Sequence, residues 1–436
     1  MSVESQGRLP ALLPASSGLR LVSPRSRAVV GGWDTLSARV FCVGLVVLVF
    51  IDWLGDYFKN PMYTAIGRMA RAGLLAYFMF YIMRTGPLFW KHGFSFGRPL
   101  FVLAVSLFIY APLDREPLAG IYFYARILYW ISATVMAYRL LRIGALTTSM
   151  VEKTVRWIVF VAVGFTLAYM RRPEFETDYN ASAYLLLLTL PLLLLKENRS
   201  RLDVIFFSAA VIGIIVTVKR GAVLALVLST VAYLLVNLYV ARNARHTLRL
   251  IVIGLAFLAI GGMTAMVRWE RIQERTTQDK LFDPEKAGSG RGRMFRRAWD
   301  GWANGSLVVN IFGNGNRAYL FSHPDPSRRK PAHSDLFTFL HDYGVYGVGM
   351  LLYLHAHFAM LLWKLVRRRN IMAGAVAFSW VSLIGMNVYT SAVVNPNQIM
   401  MGLFLAVVTA EMSRPERFRL RLATPGALPA TSNPTR

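Results

Sequence analysis

Cysteine is almost absent from this chain. Cys42 is the single one in 436 residues, so no intrachain disulfide can form, and inside an apolar run it reads as a small buried hydrophobe. Charge is also sparse: 17% of the residues are charged against 55% hydrophobic, and the mean hydropathy is +0.43. A water-soluble chain of this length needs more polar surface than that, whereas a chain embedded in a bilayer does not. Acidic residues are the scarcer sign, 23 against 49 Lys and Arg. The first 37 residues hold Arg8, Arg20, Arg25 and Arg27 but no apolar core of the signal-peptide kind. Membrane targeting is therefore expected to rest on an uncleaved first span near 39–54. Metal-ligand spacing is missing too, since His355 and His357 stand two apart on a helical stretch and point in different directions.

What is abundant is apolar sequence. Crossing hydrocarbon needs roughly 20 mostly apolar residues per helix, and by that measure the chain offers about twelve spans. They lie near 39–54, 73–83, 100–113, 118–141, 154–170, 181–195, 202–218, 222–240, 248–267, 343–363, 372–388 and 399–411. The span at 73–83 is short and follows Arg68 and Arg71. The expected fold is all-α, a polytopic integral membrane protein with one long loop. Its parts are a basic tail (1–37), the first nine transmembrane helices (38–267), the long loop (268–335), three more transmembrane helices (336–413) and a second basic tail (414–436), read as disordered.

Positive charge sets the orientation. With the amino terminus inside, inner segments carry about 27 Lys and Arg and outer segments about 21, of which 13 fall in the long loop. Long loops escape the positive-inside rule, so the short outer loops are poor in cations as the rule requires. Both termini are thus expected in the cytoplasm, and the long loop in the periplasm, of a bacterial inner membrane. The overall charge of +26 then serves anchoring to the phospholipid bilayer. Nucleic acid is not an expected partner, because no soluble basic domain remains.

Topology does not explain the cations of the long loop, where thirteen Lys and Arg face eight carboxylates. Arginine's planar fork grips phosphate oxygens in pairs, so the cluster suits a phosphorylated lipid headgroup; the plainer reading is a solvated loop with scattered ion pairs. Within Ser289-Gly290-Arg291-Gly292-Arg293, two glycines would let the backbone approach a phosphate while Arg291 turns inward. A helix is expected to follow, because Phe295, Trp299 and Trp302 recur at helical spacing. Arg296 and Arg297 would face solvent or lipid phosphate. Lys219-Arg220-Gly221 interrupts an apolar stretch at the outer surface, where a charge must snorkel, pair or face a cavity. Snorkelling alone accounts for Lys219. Arg126 lies inside a span and could line the same cavity as Arg220. His333 precedes Ser334-Asp335, an N-cap signal for the next helix. A neutral histidine where a polar cavity meets the bilayer can take a proton from an alcohol, although taken alone it is an ordinary interfacial histidine.

Together these pieces resemble the O-antigen ligase family (WaaL), within the group that includes the Wzy O-antigen polymerases. The matching pieces are Asp178-Tyr179-Asn180-Ala181 opening a span, Lys219-Arg220-Gly221, Gly290-Arg291 before an aromatic-rich helix, Phe312-Gly313-Asn314-Gly315, and Ala332-His333 leading to Gly344 and Gly347. The resemblance implies a glycosyltransferase that uses no nucleotide sugar, cofactor or metal. It would move a preassembled glycan from undecaprenyl pyrophosphate onto a sugar hydroxyl of lipid A-core, in one inverting displacement. His333 would accept the proton of the attacking hydroxyl, and Arg220 and Arg291 would hold the pyrophosphate. Lys219, Arg293, Arg126, Asn180 and Ser334 are further substrate-binding candidates. Many relatives carry Asn after the histidine, where this chain has Ser334, and Ser before the arginine, where it has Lys219. The last outer loop, near 387–397, contains no acid, so no catalytic carboxylate is expected there.

Two other readings compete. Polymerases of the group usually show two sizeable outer loops, whereas this chain has one. A transporter of a lipid-linked or anionic solute would also want an intramembrane cation such as Arg126, but it would be built from inverted repeats, and no internal repeat is evident.

Overall fold

The computed structural model describes residues 31–86 except 59, 94–170, 180–195, 200–240 except 218, 262, 266, 287–322, and 332–413 except 394 and 396. Among the described residues every regular element is a helix: α1 (Gly32–Phe58), α2 (Pro61–Thr85), α3 (Gly97–Tyr110) running into a 3-10 turn (Ala111–Leu113), α4 (Pro117–Ile143), α5 (Thr148–Met170), α6 (Asn180–Leu194), α7 (Arg201–Val216) and α8 (Arg220–Val240). After 240 follow α9 (Ala287–Ala303), the short α10 (Leu307–Phe312) and α11 (Ala318–Phe321), then α12 (Asp335–Arg367), α13 (Met372–Tyr389) and α14 (Gln398–Met412). Among the described residues five helices are long and apolar enough to cross a membrane: α1 over Gly32–Gly55, α4, α8, α12 and α13. The chain is thus read as a multi-pass membrane protein. Each expected span has a helix over it except 248–267, which apart from 262 and 266 lies outside the described residues.

Two helices depart from the expected lengths, each for a visible reason. α2 begins at Pro61, well before 73, because the Asn60 side chain accepts a hydrogen bond from the Met62 N–H (2.9 Å) and proline suits a first helical position. Arg71 does not end the span. Its guanidinium is paired with Asp52 of α1 inside the helix–helix contact. Gly67 makes room for this, since a Cβ there would stand 2.8 Å from the Asp52 carboxylate. α12 in turn begins at Asp335 rather than 343 and breaks at Gly344, whose φ of +65° and ψ of −157° only glycine adopts readily.

The break frees backbone acceptors that the following segment's helix would otherwise use. The His341 and Asp342 carbonyls accept from the N–H groups of Asn314 and Gly315, both at 3.0 Å. Phe312-Gly313-Asn314-Gly315 is therefore the strap that closes on the kink. Gly313, at φ +81°, lies so close to the Asp342–Tyr343 backbone that a Cβ would collide with it, and a Cβ on Gly344 would come within 2.5 Å of the Ile311 carbonyl. The strap is tied sideways as well. Tyr110 donates to the Phe312 carbonyl (2.8 Å), and Asn316 joins Asp114 (3.0 Å) to the Tyr343 hydroxyl (2.6 Å). These bonds hold α9 to α11 against the start of α12.

Candidate active site

α9 is built with two unlike faces. At 100° per residue, Arg291, Met294, Phe295, Ala298 and Trp302 share one stripe, and Arg293, Arg296, Arg297 and Asp300 share the opposite one. The first stripe is packed. Ala298 is buried with Tyr319 and Ala332, and Phe295 stacks on Phe337 with ring centroids 4.4 Å apart. The Tyr319 hydroxyl donates to the Met294 carbonyl (3.1 Å), and the Trp302 indole donates to the Asn310 carbonyl (2.9 Å). This packing corrects one expectation. Ser289-Gly290-Arg291-Gly292-Arg293 is not a phosphate-cradling loop before a helix but part of α9 itself. Each glycine costs such a helix about 1 kcal/mol relative to alanine, and the anchored aromatic stripe offsets that.

Arg291 lies close enough to Tyr184 of α6 to act electrostatically on its phenol. Tyr184 is buried, and its hydroxyl meets no hydrogen-bond partner among the described residues. The same hydroxyl closes over the start of α8, where a Cβ on Gly221 would stand 2.8 Å from it and 2.9 Å from Tyr389 of α13. Gly221 thus lets two tyrosines come down beside Arg220, the exposed first residue of α8. Lys219, next in line, is half-buried and donates its N–H to the Thr217 hydroxyl (3.3 Å).

The turn at His333 is tied to α13, the helix that carries Tyr389, through the residue next to it. Its φ of +53° is left-handed, a conformation that costs a side-chain-bearing residue of order 1 kcal/mol and persists only when neighbours enforce it. The neighbours are evident. Ala332 is packed under α9; the fully buried Ser334 hydroxyl donates to the Asn387 carbonyl (2.9 Å); and the buried Asp335 carboxylate accepts from the N–H groups of Ala392 (2.7 Å) and Val393 (2.9 Å). Trp130 of α4 supports this loop from behind, donating to the Val393 carbonyl (3.0 Å). His333 is half-buried and, like Arg220, has neighbours in contact with it.

One-residue steps therefore bring three distant segments to one patch. Arg291 is near enough to Tyr184 to act on it electrostatically; Tyr184 and Tyr389 flank Gly221 beside Arg220; and Asn387, half a turn from Tyr389, holds the residue next to His333. The other candidates fare differently. Ser334 does begin α12, but its hydroxyl makes no capping bond, and with 0% exposure it positions the turn instead of meeting a substrate. Arg293 turns to the opposite face of α9. Arg126 belongs to a group formed with Tyr122, Arg71, Asp52 and Arg68 on α1, α2 and α4, and it is Trp130, one turn on, that meets the loop beneath His333. Asn180 opens α6, with its side chain outside the described residues, as are Asp178 and Tyr179.

Sequence reasoning missed Tyr184, Tyr389 and the pair His341–Asp342. The pair is buried, with His341 Nδ1 2.8 Å from the Asp342 carboxylate, which also accepts the Tyr319 N–H (2.8 Å). A signal for Tyr184 existed, because it falls one helical turn after Asn180 in the matched piece.

Residues 205–354, from within α7 to within α12, match the family model described as O-antigen ligase. No curated protein matches the chain. The matched stretch contains Arg220, Arg291 and His333 together with the strap and the kink, and it is over this stretch that the chain is similar to the O-antigen ligase family.

Proposed function

We propose that this protein is an O-antigen ligase of the bacterial inner membrane, with about twelve spans, cytoplasmic termini and a periplasmic site. It transfers a glycan from undecaprenyl pyrophosphate to a sugar hydroxyl of lipid A-core. The observation that supports the reading is that the three separate segments carrying Arg291, Arg220 and His333 are linked through Tyr184, Gly221, Tyr389 and Asn387. His333 takes the proton of the acceptor hydroxyl as its oxygen attacks the anomeric carbon. The bond from that carbon to the pyrophosphate oxygen breaks on the opposite face, and the electron pair leaves with undecaprenyl pyrophosphate. Arg291 and Arg220 hold that growing charge, with the Tyr184 hydroxyl between them as a further donor. One base and one leaving group on opposite faces require inversion.

The test is purified protein with lipid-linked glycan and lipid A-core in the presence of a chelator. Glycosylated lipid A-core is the expected product. Longer lipid-linked chains in its place would make the protein a polymerase of the same group, and no product from either substrate would remove both. Within this scheme Arg220→Lys is expected to slow transfer by roughly 10-fold or more, because an ammonium is a point charge and cannot form the paired fork. An unchanged rate would reduce Arg220 to a surface anchor.

A further inference from the structure

The second face of α9 lines a solvent-open cleft of about 530 Å³ that plays no part in the scheme above. Its walls are Arg293, Arg296, Arg297, Asp300, Ser322 and His341, with Gly301 at the edge. Three guanidinium groups thus meet one carboxylate. Arg297 is near enough to the buried Tyr319 phenol to act on it electrostatically, which places that guanidinium at the cleft wall and not out in bulk water. His341 forms the inner end. Its Nδ1 is held by Asp342, and its Nε2 edge faces Gly301, where a Cβ would stand 2.8 Å away. An imidazole fixed by a carboxylate at one nitrogen presents the other in a set direction. The volume suits a sugar-sized group and not merely a bare ion.

We infer that this cleft is a second anion site and that it takes a phosphoryl group borne on the sugar headgroup of the acceptor lipid, a reading that rests on the proposed transferase function. The donor's pyrophosphate belongs to the Arg291 face. A helix with its side chains is about 10 Å across, so one diphosphate cannot engage both Arg291 and the arginine row on the opposite face. A transferase with two lipid-borne substrates has a second anion to place, and the arginine row opposite the donor is where this helix offers it. α9 then stands between the two substrates, gripping one on each side.

The experiment uses the full-length protein in phosphatidylcholine nanodiscs, with phosphorylated lipid A-core and the same lipid after enzymatic dephosphorylation as probes. Native protein is expected to bind the phosphorylated form about 10-fold or more tighter, and the double variant Arg293→Gln/Arg297→Gln to lose that preference. In the transfer assay the variant is expected to raise the KM for phosphorylated acceptor by a similar factor, with the KM for lipid-linked glycan unmoved. Equal binding of the two acceptors by native protein would overturn the inference, as would a variant whose acceptor KM is native or whose donor KM rises instead. Loss of the preference in nanodiscs containing phosphatidylglycerol would assign the cleft to bulk anionic lipid and also overturn it. Binding without any transfer by native protein would remove the ligase reading and leave the cleft standing, so the two failures are distinguishable.

Discussion

His333→Ala is expected to reduce glycan transfer by about 100-fold or more while the protein still inserts and folds, the loss that follows removal of a general base. Half-burial at a surface turn makes the truncation mild for the fold, and Ser334 and Asp335 keep the turn in place through their own bonds. The informative comparison is His341→Gln. His341 is the more deeply buried imidazole and is held by Asp342, but it lies on the far side of α9 from Arg291 and Tyr184. The scheme therefore assigns the large loss in kcat to His333 and only an acceptor-side effect to His341. Capped lipopolysaccharide at native levels from the His333 variant, with none from the His341 variant, would move the base to the other face and undo the mechanism.

The second large effect is on stability. Gly344→Ala is expected to destabilise the protein by about 3 kcal/mol or more, because the added methyl meets the Ile311 carbonyl in a backbone conformation closed to alanine. Gly349→Ala is the control on the same helix, since a Cβ there meets nothing within 4 Å. Thermal unfolding in detergent should place Gly344→Ala well below the native protein and Gly349→Ala beside it. A Gly344 variant that melts like the native protein would mean that the strap is not held by the kink. Transfer should fall along with stability, because the strap leads directly into α11, whose Tyr319 packs against Ala298 of α9.

The helices were legible because hydrocarbon imposes a length and an apolar run of that length is visible in one dimension. The limits of that reading appear at Arg71 and at Gly290–Gly292. A cation inside a run was taken as a boundary, yet Asp52 neutralises it from a neighbouring helix, a partner 19 residues away. Paired glycines read as a loop in one dimension, yet the helix that contains them is held by contacts to Phe337, Asn310 and Tyr319. The candidate residues of the patch could be picked out by their charge at a membrane surface. What brings them together could not, because Tyr184, Gly221 and Tyr389 are spread over more than 200 positions and meet only through packing. Asp335 is the sharpest case. It reads as the first acid of a helix, but its carboxylate is buried in a loop that itself has no acid.

That arrangement has a consequence for how such a protein can diversify. The turn at His333 is moored to the segment 387–393 through main-chain groups: one carbonyl and two amides. Main-chain moorings are indifferent to which side chains the segment displays. Ala392 and Val393 are buried and fixed by packing, but the half-buried Thr390 and Ser391 can be exchanged while the imidazole keeps its station, so under the proposed function new glycan preferences can arise there without rebuilding the chemistry.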